Sequence, residues 1–152
     1  MVLVESVDFF RADVARRAAP EKRAGLGQFL TPPATAKLMA SMFQARTGAL
    51  SLLDPGAGVG SLTAGFVAAM CGGQPRPESI RVTAVEIDPD LCDYLGSSLQ
   101  QSRELCNSSG VAFEYEIVLG DFLAVSATVR ARKTGLHDRQ RLPIAAGNRS
   151  LR

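Results

Sequence analysis

Histidine is nearly missing from this 152-residue chain: His137 stands alone in a polar stretch near the C-terminus, which excludes a histidine-rich metal centre and, with no partner motif beside it, speaks against a Ser/His/Asp triad. Cysteine is scarce as well. Cys71, Cys92 and Cys106 are odd in number and widely spaced, so neither a disulfide framework nor a CxxC metal site is supported, and the three are expected as reduced core residues. No apolar run approaches the roughly 20 residues that cross a bilayer. The N-terminus, with Glu5 and Asp8 early and no apolar segment behind them, does not read as a signal peptide, so a cytoplasmic protein without a membrane part is expected. There is no repeat at solenoid periods and no low-complexity run. With 46% hydrophobic and 21% charged residues, what remains is the ordinary composition of one globular domain.

The formal net charge of +2 conceals an asymmetry. Residues 1–129 carry 10 Lys and Arg against 14 Asp and Glu, whereas residues 130–152 carry 7 against 1, so the two parts have net charges of −4 and +6. The basic end suits either contact with phosphates or a solvated, irregular tail.

Apolar periodicity sets out the elements. Val4, Val7, Phe10, Val14 and Ala18 recur every three or four residues and predict a packing helix over 4–19, with Arg11, Arg16 and Arg17 on its other side. A loop at 25–30 precedes Thr31-Pro32-Pro33, read as a cap followed by prolines where a helix tolerates them, and Leu38, Met39, Met42 and Phe43 are expected as that helix's buried face, with Gly48 as its stop. Residues 49–53 then form a buried parallel strand before a glycine turn, and 61–70 a helix with Leu62, Phe66, Val67 and Met70 inward. After a loop at 71–77 comes a β-branched strand over 80–87, a helix opened by Asp88-Pro89-Asp90 and running to Cys106, and a strand over 111–119. Strand and helix alternate as βαβαβ, which predicts an α/β fold: half of a doubly wound, Rossmann-like parallel sheet preceded by helices.

Ligands of such sheets bind at the carboxyl ends of the strands, and three groups of polar residues fall there. Asp54 to Gly60 follows the first strand, Glu86 to Asp88 the second and Asp121-Phe122 the third. Gly56, Gly58 and Gly60 stand at alternate positions before a helix, a loop that lets backbone approach an anionic or zwitterionic ligand closely. Asp54 just before them would repel a pyrophosphate but can accept a hydrogen bond from an ammonium group. Glu86 can take the hydroxyls of a ribose; Asp121 can accept from the exocyclic amine of adenine, and Phe122 can supply a stacking face. Amino acid, ribose and adenine together describe S-adenosylmethionine. Taken singly, Asp54 is as well read as a turn residue, Glu86 as a solvated strand end and Phe122 as core; their shared edge favours the ligand.

These residues resemble the amino-terminal part of the catalytic domain of adenine-specific DNA methyltransferases of restriction-modification systems, the TaqI and Eco57I kind. Gly27-Gln28-Phe29-Leu30-Thr31-Pro32-Pro33 resembles the family's motif X, Asp54-Pro55-Gly56-Ala57-Gly58-Val59-Gly60 motif I, Val85-Glu86-Ile87-Asp88-Pro89 motif II and Gly120-Asp121-Phe122 motif III. The resemblance covers residues 26–123. It implies transfer of a methyl group from S-adenosylmethionine to the amino group of adenine in duplex DNA, with the base flipped out of the helix. It further implies that Thr31 belongs to the segment holding the methionine carboxylate, that Glu86 is the ribose ligand and that Ile87 contacts adenine.

The family's Asn-Pro-Pro-Tyr motif does not occur in these 152 residues, and Leu142-Pro143-Ile144 offers neither its amide nor its aromatic ring. No catalytic residue is therefore assigned. The expected organisation is an N-terminal helix and linker over 1–25, an incomplete S-adenosylmethionine-binding core over 26–125 and a basic, irregular tail over 126–152. Residues 1–152 alone are expected to bind the cofactor weakly, to leave DNA unmethylated and to present a free strand edge to a partner subunit, the remaining catalytic half or other copies. Rival readings are a methyltransferase acting on RNA or a small molecule, a non-catalytic S-adenosylmethionine-binding module, and an NAD-binding half-domain, which Asp54 suits poorly.

Overall fold

A computed structural model describes residues 2–17, 29–44, 46–124 and 126. His137, the basic end, the apolar cluster at 142–146 and the Gly27-Gln28 start of the upstream motif lie outside the described residues.

Helix α1 (Leu3–Arg17) is followed by α2 (Pro33–Ala40), and then β1 (Ala49–Pro55), α3 (Ser61–Gly72), β2 (Ser79–Glu86), α4 (Pro89–Ser108) and β3 (Ala112–Leu119) alternate as expected. The strands form one parallel sheet in the order β1-β2-β3, with Leu52 opposite Val82 and Val82 opposite Tyr115. This is the Rossmann-like half-sheet. Period-two alternation decides which face is covered: Ile80, Val82 and Ala84 are buried with Phe113, while Ser51, Arg81, Glu114 and Glu116 on the other face are exposed. On that open face the register partners Arg81 and Glu114 make an ion pair at 2.9 Å.

Helix α4 shows most plainly why its residues take this position. Asp88 is its N-cap, its carboxylate accepting from the Asp90 N–H at 3.0 Å, and Pro89 takes the first turn, where its missing N–H costs nothing. Leu91, Leu95 and Leu99 recur every fourth residue and are all buried, with Cys106 two turns on. Fully burying Leu95 and Leu99 stabilises by about 3–6 kcal/mol together, against about 1 kcal/mol for a cap. The apolar stripe therefore fixes where α4 lies, and the cap fixes where it starts. Helix α1 packs on α3 and α4, with Val4, Val7 and Val14 buried, and is tied to α4 by the Tyr94 hydroxyl donating to Asp13 at 2.7 Å.

Five expectations are corrected. The N-cap of α2 is Pro32, with no side-chain cap bond, so Thr31 precedes the cap instead of forming it. Helix α2 ends at Ala40, and Gly48, with φ of +83°, leads into β1 instead. Its buried face is Ala36 and Ala40; Leu38, Met39, Met42 and Phe43 are exposed. Large side chains were expected to pack, but here α2 lies so close to α3 that only methyl groups fit between them: a Cβ on Gly65 would meet the Ala36 carbonyl oxygen at 2.9 Å. Strand β1 is parallel, yet among its residues only Asp54 is buried, because among the described residues β1 pairs with β2 alone and none pairs with its other edge. Along that edge Leu50 and Leu52 line a groove of about 510 Å³ with Met42, Phe43, Phe66 and Met70. Finally, Cys71 and Gly72 belong to α3, so the following loop starts later than the pattern suggested.

Candidate functional site

The C-terminal end of β2 gathers the three turns. The Val85 carbonyl accepts from the N–H groups of Gly56 and Ala57 at 2.8 and 2.9 Å, and the Glu86 carbonyl accepts from the Gly120 N–H at 2.8 Å. Two backbone oxygens of one strand thus draw in the glycine turn after β1 and the turn after β3. Asp121, next to Gly120, is exposed, with its Oδ1 accepting from the Leu123 N–H at 2.9 Å; Phe122 is half-buried beside it.

Gly56, Gly58 and Gly60 have φ values of +75°, +57° and +85°. Gly60 requires glycine twice over, because a Cβ there would also stand 3.2 Å from both Leu95 Cδ1 and Ser98 Cβ on α4. Ser98 completes the contact by donating its hydroxyl to the Val59 carbonyl at 2.6 Å. Above Gly56 a Cβ would meet nothing within 4 Å, so the turn has open space on that side. Near Gly58 the neighbour is Leu30 Cδ2, at 3.4 Å from a built Cβ. Leu30 carries the segment before α2 onto the glycine turn, and Thr31 follows it directly.

Glu86 is 3% exposed, and backbone holds it. Its Oε2 accepts from the Gly58 N–H at 2.7 Å, and its Oε1 accepts from Ile87 and Asp88 N–H at 2.9 and 2.8 Å. A carboxylate offers about four acceptor positions, so one remains, on Oε2. As it stands, Glu86 can take one ligand hydroxyl; taking two requires the Gly58 N–H to give way. Ile87 is exposed at this edge.

Asp54 points elsewhere. It is 5% exposed and lies at the start of α3, where its Oδ2 accepts from the Thr63 hydroxyl at 2.6 Å. Gly60, the N-cap residue, has no side chain to offer, and Asp54 supplies the missing acceptor from the strand. Burial pushes its carboxyl above the ordinary aspartate value; the Thr63 hydroxyl and N–H pull it down, and the charge of Glu86 adds to the rise.

A raised pKa in the folded state means that the native protein binds this proton more tightly than the unfolded chain does. Stability from this group is therefore fully present below the ordinary value of 3.8 and is lost as pH rises through the elevated folded value. Asp54→Asn cannot ionise. Calorimetric melts over a pH series should show the wild type losing stability across that window relative to Asp54→Asn, and parallel pH profiles would show that burial does not govern this carboxyl.

Among the described residues no group of His, Cys, Asp and Glu could hold a metal ion, and no helix is long and apolar enough to cross a membrane. Of the residues expected at the site, Gly56, Gly58, Gly60, Glu86 and Ile87 converge on one strand edge with Asp121 and Phe122 beside them, Leu30 brings Thr31 near, and Asp54 supports the turn from beneath. Sequence reasoning missed Thr63 and Ser98. A hydroxyl residue three places into a helix that starts without a capping side chain was the available signal for Thr63; nothing local marked Ser98, which acts across 39 residues.

No protein-family profile matches the chain. It is 37% identical over 110 residues to the Type II methyltransferase M.PstI of Providencia stuartii, covering 68% of this chain and 20% of that protein. It is 29% identical over 126 residues to the Type II methyltransferase M.BsuBI of Bacillus subtilis, covering 82% of this chain and 23% of that protein. The chain spans about a fifth of the length of the curated relatives it matches.

Proposed function

Because this chain belongs with the Type II methyltransferases of restriction-modification systems over the fifth of their length that it spans, we propose that it is the S-adenosylmethionine-binding part of an adenine-specific DNA methyltransferase. The observation that carries this reading is the grip of Glu86 on the Gly58 N–H, which sets an acidic side chain, an open glycine turn and the turn after β3 on one edge. The donor set suits the cofactor. Glu86 accepts a ribose hydroxyl, Ile87 covers the adenine face, Phe122 stacks on it, and Asp121 accepts from its amine. The space over Gly56 takes the methionine end, with Thr31 toward its carboxylate and Asp54 toward its ammonium group, through acceptor positions that Thr63 leaves open. When bound, S-adenosylmethionine supplies an electrophilic methyl group, which the amino group of adenine in DNA attacks in line.

Titration calorimetry with S-adenosylmethionine, followed by incubation of the protein with labelled cofactor and duplex DNA, tests this assignment. The expected results are heat of binding and no labelled DNA, because Asn-Pro-Pro-Tyr does not occur in these residues. Heat with NAD and none with S-adenosylmethionine would overturn the cofactor. Incorporation of label into DNA would overturn the expectation that catalysis needs residues beyond these, and label found on cytosine instead of adenine would overturn the base assignment.

A further inference from the structure

Two of the three cysteines meet at the far end of the helical layer from the site. Cys71 lies one residue before the end of α3 and Cys106 two before the end of α4; both are buried, and their Sγ atoms are 3.6 Å apart. They come from helices separated by a strand, so only the tertiary fold brings them together. Cys92 is elsewhere: fourteen residues earlier in α4, it lies about 20 Å along the helix axis from Cys106, with its Sγ 3.8 Å from the Asp88 carbonyl oxygen.

We propose that Cys71 and Cys106 are a modification site: oxidised by a peroxide, they form a reversible disulfide that ties the C-terminal ends of α3 and α4 together. The sulfurs are already in van der Waals contact, so the bond needs a closing movement of about 1.5 Å shared between two side chains at helix ends, where backbone frays most readily. Position favours Cys71 as the sulfur that reacts first, since it is the less deeply buried of the two and lies at the corner that Arg76 covers. The hydrogen bond with the Cys106 thiol lowers the pKa of Cys71 to about 7 against the opposing effect of burial, with Ser109 and the charge of Arg76 assisting. Cys106 is pushed up by the same contact and by burial. Arg76 also donates to the Ser109 carbonyl at 3.5 Å, which keeps its guanidinium over this corner.

The step balances as follows. The Cys71 thiolate attacks one oxygen of hydrogen peroxide, the O–O bond breaks, hydroxide leaves and takes up a proton, and Cys71 becomes a sulfenic acid. Cys106 sulfur then attacks Cys71 sulfur, the S–S bond forms, and the sulfenic oxygen departs with the Cys106 proton as water. Two thiols are oxidised and one peroxide is reduced to two waters; a dithiol reductant reverses the bond by exchange.

Treating the protein with hydrogen peroxide at neutral pH tests the assignment. Free thiols should fall from three to one, non-reducing peptide mapping should find Cys71 joined to Cys106, and dithiothreitol should restore all three. The cross-link closes a loop of about 35 residues and should raise the melting temperature by about 10 °C. In Cys106→Ser the sulfenic acid on Cys71 has no resolving thiol and should be trapped by dimedone. Three thiols persisting after treatment, a cross-link containing Cys92, or a sulfinic acid on Cys71 beside a free Cys106 would each overturn the proposal, and these readings on the unsubstituted protein do not depend on any variant folding.

Discussion

Glu86→Ala is expected to lose about 3–5 kcal/mol of stability, a large share of what a domain of this size has, and with it the binding of S-adenosylmethionine. Three backbone N–H groups, those of Gly58, Ile87 and Asp88, lose their acceptor in that one substitution. Alanine offers nothing in return, and Asp88 at one end of the network is buried, where water cannot take over, whereas half-buried Gly58 is partly open to it. Glu86→Gln separates two parts of the role. Its amide oxygen can stay with Ile87 and Asp88 while its amide nitrogen faces the Gly58 N–H, donor against donor. Only the link to the glycine turn is broken, and the expected loss is about 1–2 kcal/mol. Urea denaturation of both variants measures the stability. Titration calorimetry on Glu86→Gln, which stays folded, measures the ligand, and a weakening of about tenfold or more is expected from losing the ionised acceptor. If Glu86→Ala unfolds at the wild-type midpoint, the side chain does not hold the turn. If Glu86→Gln binds S-adenosylmethionine undiminished, Glu86 is structural and the ribose assignment fails, whatever the stability result.

The two outcomes differ because Glu86 belongs to both the scaffold and the proposed site, and this doubling explains what the sequence could and could not convey. The alternation of strand and helix, the parallel sheet and the N-cap at Asp88 rest on local signals: period two, period 3.6, and an Asp-Pro start. Each was legible because neighbouring residues carry it. The convergence of Asp54, Gly58 and Glu86 at strand ends followed from the fold class, since βαβ units put successive turns on one edge. What each carboxylate bonds to did not follow. Asp54 reads as a ligand group by composition, yet the nearest donors are the hydroxyl and N–H of Thr63, nine residues on and brought close only when α3 docks. The buried face of α2 departs from the periodicity for a related reason. Periodicity favours the face with the largest apolar side chains, Leu38, Met39, Met42 and Phe43, whereas close helix packing selects the smallest, Ala36 and Ala40. Which rule wins depends on the partner helix, and the residue that decides it, Gly65, is remote in sequence.

Gly65 is accordingly where one added side chain should do the greatest damage away from the site. Its Cβ would lie 2.9 Å from the Ala36 carbonyl oxygen, 3.1 Å from the carbonyl carbon and 3.3 Å from the Ala36 Cβ, so the obstruction is backbone and cannot turn aside as a flexible side-chain tip can. Two effects compete. Replacing glycine in the middle of α3 favours the helix by about 1 kcal/mol when alanine is introduced, while forcing a packed interface apart costs about 1–3 kcal/mol and sometimes more. For Gly65→Ala the two offset in part, and a loss of about 1 kcal/mol is expected. Gly65→Val keeps the same first contact, adds two methyl groups against Ala36 and gains less in helix propensity, so a loss of about 3 kcal/mol or more is expected. The damage should travel along a definite route. Helix α2 holds Leu30 against Gly58 from its N-terminal side, so moving α2 off α3 uncovers the glycine turn and displaces Thr31 with it. Hydrogen exchange on Gly65→Ala, which keeps the fold, should therefore show faster exchange in α2 and in the Gly56 to Gly60 turn, with α4 and β3 unchanged, because their core residues Leu95, Leu99 and Phe113 pack without α2. Exchange quickening evenly over all elements would mean that α2 is not a separable cover of the site, and a Gly65→Val protein as stable as the wild type would mean that α2 and α3 do not approach as closely as described.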